Sequence, residues 1–82
     1  MGTTQTMISD WFDRGVAKGA THMVVVCDTF DWEDYPHYVM PGEDPKEYKP
    51  GEMQKVMEVY ALHLPKLDQL GERRAFHYDA AD

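Results

Sequence analysis

Basic residues and cysteine are scarce in this sequence. Lysine and arginine together number 8, against 15 aspartates and glutamates, so the formal net charge is −7. Non-specific DNA binding depends on Lys and Arg side chains that face phosphates, and we therefore expect no direct contact with nucleic acid. The single cysteine, Cys27, excludes an internal disulfide and fits a reducing compartment.

Long apolar runs and catalytic motifs are missing as well. No stretch approaches the roughly 18 apolar residues of a membrane span, so we expect no membrane partner. The opening MGTTQTMISD lacks the basic-then-apolar order of a signal peptide, and we expect a cytoplasmic protein. Glycine-rich phosphate loops, nucleophile elbows and metal-ligand pairs of Cys or His are also absent. The sequence therefore favours a binding protein over an enzyme and predicts no cofactor or metal.

The 82 residues predict a single α+β domain with flexible ends at 1–4 and 79–82. A domain of this size buries only about 60 % of the surface of its unfolded chain. The sequence nevertheless carries 6 Met, 5 Tyr, 3 Phe and 2 Trp, which is enough apolar surface for an interface between copies. We therefore expect a homo-oligomer.

The stretch from 22 to 40, HMVVVCDTFDWEDYPHYVM, organises the predicted fold. Its five consecutive apolar residues include three β-branched valines, which indicate a strand at 21–29 that is buried on both faces. A short connection then leads to a second strand at 35–40, so the two strands form an antiparallel hairpin. Pro36 cannot donate a ladder hydrogen bond, so it suits either the first residue of the second strand or a position on an edge strand.

Helical spacing appears on both sides of this hairpin. An apolar stripe predicts a helix at 5–18 with Gly19 as its C-cap, and Asp44-Pro45 indicates a short helix start. A similar stripe predicts a longer helix at 52–64, after which Pro65 either kinks that helix or opens a short new one.

The last element that the sequence predicts is a third strand at 72–78, ERRAFHY. The expected order is then α-β-β-α-β. The architecture is a three-stranded, antiparallel-containing sheet with strand 21–29 in the middle and helices packed on one face. The other face is expected to be partly open.

The acidic, aromatic connection after the first strand is the candidate site. Aromatic rings there could stack on a base, carboxylates could accept from base or ribose donors, and the adjacent arginines of the last strand could hold a phosphate. The predicted ligand-binding residues are Asp28, Phe30, Asp31, Trp32, Tyr35, Tyr38, Arg73 and Arg74.

Three other interpretations of this connection stay open. It could be a protein-recognition patch with Trp and Tyr anchors and an acidic rim. It could be a metal site built from Asp28, Asp31, Asp34 and His37. It could also be a solvated turn whose aromatic side chains fold back on the core.

Three segments resemble a family of small proteins encoded by phages and bacterial genomes. The segments are WFDRGVAKGATHMVVVCDTFDWEDYPHYV, MQKVMEVYALHL and ERRAFHY, and CDTFDWEDYP is the most specific part. The resemblance spans about 8–78 and implies a genomic setting, with no catalytic residues to transfer. It implies a role against host defence, in the host cytoplasm if the protein is phage-encoded.

These observations lead to three functional hypotheses. In the first, a non-enzymatic binding protein sequesters a nucleotide-derived signal. In the second, the acidic surface inhibits a basic host protein or imitates DNA. In the third, the chain is a metal-dependent hydrolase.

Overall fold

The computed structural model describes residues 3–71 as two α-helices and three β-strands. In chain order these elements, with one 3-10 helix, are α1 (Gln5–Lys18), β1 (His22–Asp28), β2 (Glu33–Val39), the 3-10 helix (Pro45–Glu47), β3 (Gln54–Ala61) and α2 (Lys66–Gly71). Over the described residues, neither helix combines the length and the apolar character that crossing a membrane requires.

β1 is the central strand of the sheet. The strand order is β2-β1-β3, and both neighbours pair with β1 in antiparallel fashion. Every residue from His22 to Cys27 is buried, as expected for a strand covered on both faces. The α+β class, the hairpin and the middle position of β1 are thus confirmed.

One face of the sheet carries both helices, and we call it the helix face. α1 supplies Ile8 and Phe12, and α2 supplies Leu70, to a cluster that includes Met23 and Val25 of β1. The helix approaches the sheet closely at Gly15, where an added Cβ would lie 2.7 Å from a Leu62 side-chain carbon. The predicted packing of helices on one face is confirmed.

The opposite face is covered by the chain that follows β2, and we call it the loop face. Val24, Val26 and Val59 are each at most 1 % exposed, and Tyr35 and Tyr48 pack against them. The expectation that this face is partly open is therefore wrong. The segment around the 3-10 helix closes it, and Asp44 caps the start of that helix by accepting a hydrogen bond from the Lys46 backbone N–H.

The predicted helix at 52–64 is wrong, because the structure has β3 at Gln54–Ala61. A bulge in the β1–β3 pairing lets Val25 lie opposite Glu58 and Val26 opposite Val56. Met57 is the extra residue of the bulge. It shifts by one position the alternation of β3 side chains between the two faces of the sheet, so the apolar residues of β3 fall at three- and four-residue spacings. That spacing imitates a helical stripe in the sequence.

The third strand therefore precedes the last helix instead of following it. α2 begins directly after Pro65, which confirms one of the two expectations for that proline. The predicted strand at 72–78 lies outside the described residues.

Each outer strand has a feature that limits further pairing. On β2, Pro36 lies opposite Val25 and offers no N–H. On β3, the Gln69 side chain accepts a hydrogen bond from the Ala61 N–H at 2.7 Å and donates one to the Ala61 carbonyl at 2.8 Å. Gln69 is 2 % exposed, so its amide acts as a buried substitute for a neighbouring strand.

We predict that Gln69→Leu lowers the free energy of unfolding by about 2 kcal/mol, because it leaves two buried backbone groups of Ala61 without this partner. Urea denaturation followed by circular dichroism measures the change. Gln5→Leu is the control, since Gln5 is exposed and its side chain makes one hydrogen bond, to the Leu70 carbonyl. Equal effects of the two substitutions would contradict the role assigned to Gln69.

Candidate functional site

The loop at 29–32 joins β1 to β2 and is fixed by its own carboxylates. Asp28 accepts a hydrogen bond from the Phe30 N–H at 2.9 Å, and Asp31 accepts one from the Glu33 N–H at 3.2 Å. Such contacts between a carboxylate and the backbone two residues on stabilise tight turns. Asp28 and Asp31 therefore shape the loop, whatever else they contact.

The same loop is tied to the chain that enters β3. The Thr29 N–H donates to the Met53 carbonyl at 2.7 Å. Three large apolar side chains are exposed at this end of the sheet: Phe30 is 76 % exposed, Trp32 60 % and Met53 50 %. We call these three residues the tip patch.

Trp32 has a backbone conformation that is unusual for its residue type. Its φ is 58°, in the left-handed region that glycine and asparagine adopt most readily. For a bulky residue this conformation costs about 1 kcal/mol. Since the ring is mostly exposed, packing of Trp32 in the core does not explain why a tryptophan occupies this position.

Charged residues of both signs neighbour Trp32. Asp31 and Glu33 adjoin it in sequence, and both are exposed. From β3, the Lys55 Nζ lies 5.9 Å from the centroid of the Trp32 ring, within the range of a cation–π contact. We call the two neighbouring carboxylates, Asp31 and Glu33, the acidic rim of the tip patch, and one lysine lies over its largest ring.

The other two predicted aromatic residues lie on opposite faces of the sheet. Tyr35 packs on the loop face, where its hydroxyl accepts a hydrogen bond from the Gln54 side chain at 2.7 Å. Tyr38 packs on the helix face, where its hydroxyl donates to the Trp11 carbonyl at 2.7 Å. Burial raises the pKa of Tyr38 above its usual range. Neither tyrosine joins Phe30 and Trp32.

The predicted site residues thus fall into separate groups. Phe30 and Trp32 lie exposed in one loop, in which Asp28 and Asp31 accept hydrogen bonds from the backbone N–H groups of Phe30 and Glu33. Arg73 and Arg74 lie outside the described residues.

The metal ligands suggested by the sequence do not converge. Asp34 pairs with Cys27 and His37 pairs with Val24, so the two side chains project from opposite faces of β2. Within residues 3–71, no three His, Cys, Asp or Glu side chains lie close enough to hold a metal ion. The metal-site interpretation therefore has no geometric support in this part of the chain.

A cleft of about 340 Å³ lies between β2 and the segment that covers the loop face, and the sequence did not reveal it. The ring centroids of His37 and Tyr48 lie 4.4 Å apart on the wall of the cleft. Burial raises the pKa of Tyr48 above its usual range, and a hydrogen bond to Tyr35 raises it further. The lining residues are His37, Val39, Glu43, Asp44, Glu47, Tyr48 and Lys49. With three carboxylates against one lysine, the cleft is poorly suited to a phosphate.

Cys27 lies beside Asp34 on the strand pair that carries the loop. Burial raises the pKa of its thiol, and a hydrogen bond to Asp34 and the charge of that carboxylate raise it further. Because the thiolate is the reactive form, this environment suppresses the chemistry of Cys27. Cys27 is buried, as expected for a residue of a strand that is covered on both faces.

We predict that the folded protein reacts with iodoacetamide at pH 8 several-fold more slowly than the protein unfolded in urea, because burial disfavours the thiolate of Cys27. Asp34→Asn should recover only part of the rate, since burial is the larger cause. Mass spectrometry of the alkylated fraction measures both rates. A folded protein that reacts as fast as the unfolded chain would contradict the assignment.

Comparisons with protein-family models, with curated proteins and with solved structures found no match to this chain. The resemblance to small phage and bacterial proteins therefore stays a prediction, and the functional argument depends on the geometry of the tip patch.

Proposed function

We propose that this protein binds a basic segment of another protein through its tip patch. The observation that carries the proposal is Trp32, an exposed tryptophan held in a strained backbone conformation at the end of a well-fixed loop. Strain of this kind persists where the surrounding structure holds it, and it concentrates at ligand-binding sites.

The exposed apolar surface supports a protein partner. Phe30, Trp32 and Met53 belong to the residue types that serve as anchors in protein interfaces, and each has half or more of its surface accessible. Their shared position at one end of the sheet offers a partner several anchors at once. The hydrogen bonds of Asp28 and Asp31 hold the loop in place before binding, which lowers the entropy cost of association.

The charge around the patch supports a basic partner. Asp31 and Glu33 flank the tryptophan, and the whole chain carries a net charge of −7. A negative surface of this kind attracts positively charged proteins from a distance and repels acidic ones. Exposed aromatic rings beside acidic residues together favour a segment rich in arginine or lysine.

Capture of a nucleotide-derived signal has weaker support. Phe30 and Trp32 could still stack on a base, but Tyr35 and Tyr38 pack away from them on opposite faces. The carboxylates at the rim would also repel a phosphate. A role against host defence and self-association remain predictions, and neither carries the present proposal.

Trp32→Gly should weaken binding of a nona-arginine peptide at least about tenfold, the loss expected for an interface anchor. The same substitution should leave the free energy of unfolding unchanged or raise it by up to about 1 kcal/mol, because glycine adopts the left-handed conformation without strain. Isothermal titration calorimetry and urea denaturation measure the two quantities.

The control for Trp32→Gly is Leu67→Ala, which removes an exposed apolar side chain from α2, away from the loop. It should leave peptide binding unchanged. Unaltered affinity in Trp32→Gly would show that the tip patch is not the binding surface.

Glu33→Gln should weaken the binding of nona-arginine about two- to threefold at low salt and make the affinity less sensitive to salt, because one rim charge is lost. Asp10→Asn is the matched control, since it removes one exposed carboxylate from α1. Fluorescence titration of a labelled peptide at several sodium chloride concentrations gives the slopes. Equal dependence of the peptide affinity on salt in the two variants would contradict the assignment of Glu33 to the rim.

A further inference from the structure

We propose that Lys55 occupies, in the free protein, the place over the Trp32 ring that an arginine of the partner takes on binding. Lys55 would thereby set both the affinity of the tip patch and its preference for arginine. This inference rests on the proposed function and names the group that the patch recognises.

The geometry shows a contact that is present but easily displaced. Lys55 belongs to β3 and Trp32 ends the loop before β2, so the lysine side chain reaches past the end of β1 to the ring. The distance of 5.9 Å from Nζ to the ring centroid is close to the outer limit of a cation–π contact, which is about 6 Å. Both residues are exposed, so a competing cation has access to the ring.

Arginine suits this place better than lysine does. A guanidinium is planar and weakly hydrated, so it can stack on an indole face while it donates two hydrogen bonds to a carboxylate. The carboxylates of Asp31 and Glu33 adjoin Trp32 in sequence. The ammonium of Lys55 is strongly hydrated, and its replacement by a guanidinium therefore improves the contact with the ring.

Removal of Lys55 should strengthen binding for two reasons. The ring face becomes available without displacement of a resident cation, and one positive charge that repels the partner is lost. The second reason applies to any lysine on this acidic protein, so the test needs a control for charge. Lys18→Met provides it, because the Lys18 Nζ lies 4.9 Å from the centroid of the Tyr38 ring, on the helix face. This control removes the same charge and a similar contact between a lysine and an aromatic ring.

The experiment measures the affinity of nona-arginine and nona-lysine peptides for the wild-type chain, Lys55→Met, Lys18→Met and Trp32→Leu. We expect Lys55→Met to bind nona-arginine about three- to fivefold more tightly than Lys18→Met does. The wild-type chain should bind nona-arginine several-fold more tightly than nona-lysine. Trp32→Leu keeps an apolar side chain but has no ring, and it should lose that preference.

A second measurement tests the contact without a peptide. In a Trp11→Phe background Trp32 is the one tryptophan, because the sequence contains two. Acrylamide should quench its fluorescence more efficiently in Lys55→Met than in Lys18→Met, since the lysine no longer shields the ring.

The outcomes separate the two proposals. Equal or weaker binding by Lys55→Met relative to Lys18→Met, while the wild-type chain still binds through Trp32, would overturn the role of Lys55 and leave the proposed function standing. Failure of the wild-type chain to bind either peptide, or binding that Trp32→Leu does not alter, would overturn the proposed function itself. Equal acrylamide quenching in the two lysine variants would refute the contact.

Discussion

The burial of β1 on both faces is the constraint on which the rest of this structure depends. A strand flanked by two antiparallel neighbours has its backbone groups satisfied within the sheet, and its side chains must then be covered from both sides. Two helices cover the side of Met23 and Val25, and the segment with Tyr48 covers the side of Val24 and Val26. Among the described residues seven large apolar side chains stay exposed, and three of them, Phe30, Trp32 and Met53, form the tip patch.

Strand alternation decides which predicted site residues can meet. Along β2, successive side chains face opposite sides, so Asp34 and Tyr38 share the helix face while Tyr35 and His37 face the loop side. A site composed of all of them is geometrically impossible on one regular strand. The loop before β2 is free from this alternation. Exposed aromatic side chains therefore gather there, on a base made rigid by the strands below.

Local signals in the sequence predicted much of the fold. The helix at 5–18 has the predicted limits, and its glycine C-cap adopts the left-handed conformation at Gly19. The short helix after Asp44 and the hairpin of β1 and β2 also follow from capping and strand patterns. Each of these features is set by residues close together in the chain, which is why sequence patterns could find them.

The features that the sequence did not predict depend on contacts between distant residues. A bulge opposite β1 gave the apolar residues of β3 the spacing typical of a helix, and no residue near the bulge indicates its presence in the sequence. The closure of the loop face by Tyr48, and the strand-like contact of Gln69 with Ala61, required the folded arrangement. At the candidate site, sequence reasoning chose Phe30 and Trp32. It could not give the exposure of Met53 beside them or the position of Lys55.

The central claim is that the loop end of the sheet is the binding surface. The most direct measurement is a titration of the ¹⁵N-labelled protein with nona-arginine, followed by two-dimensional NMR. The account predicts that the largest shifts of backbone amide signals lie at 29–33 and 53–55, and that the Trp32 indole N–H signal moves with them. Largest shifts along the cleft at 43–49, with the loop signals unmoved, would contradict it.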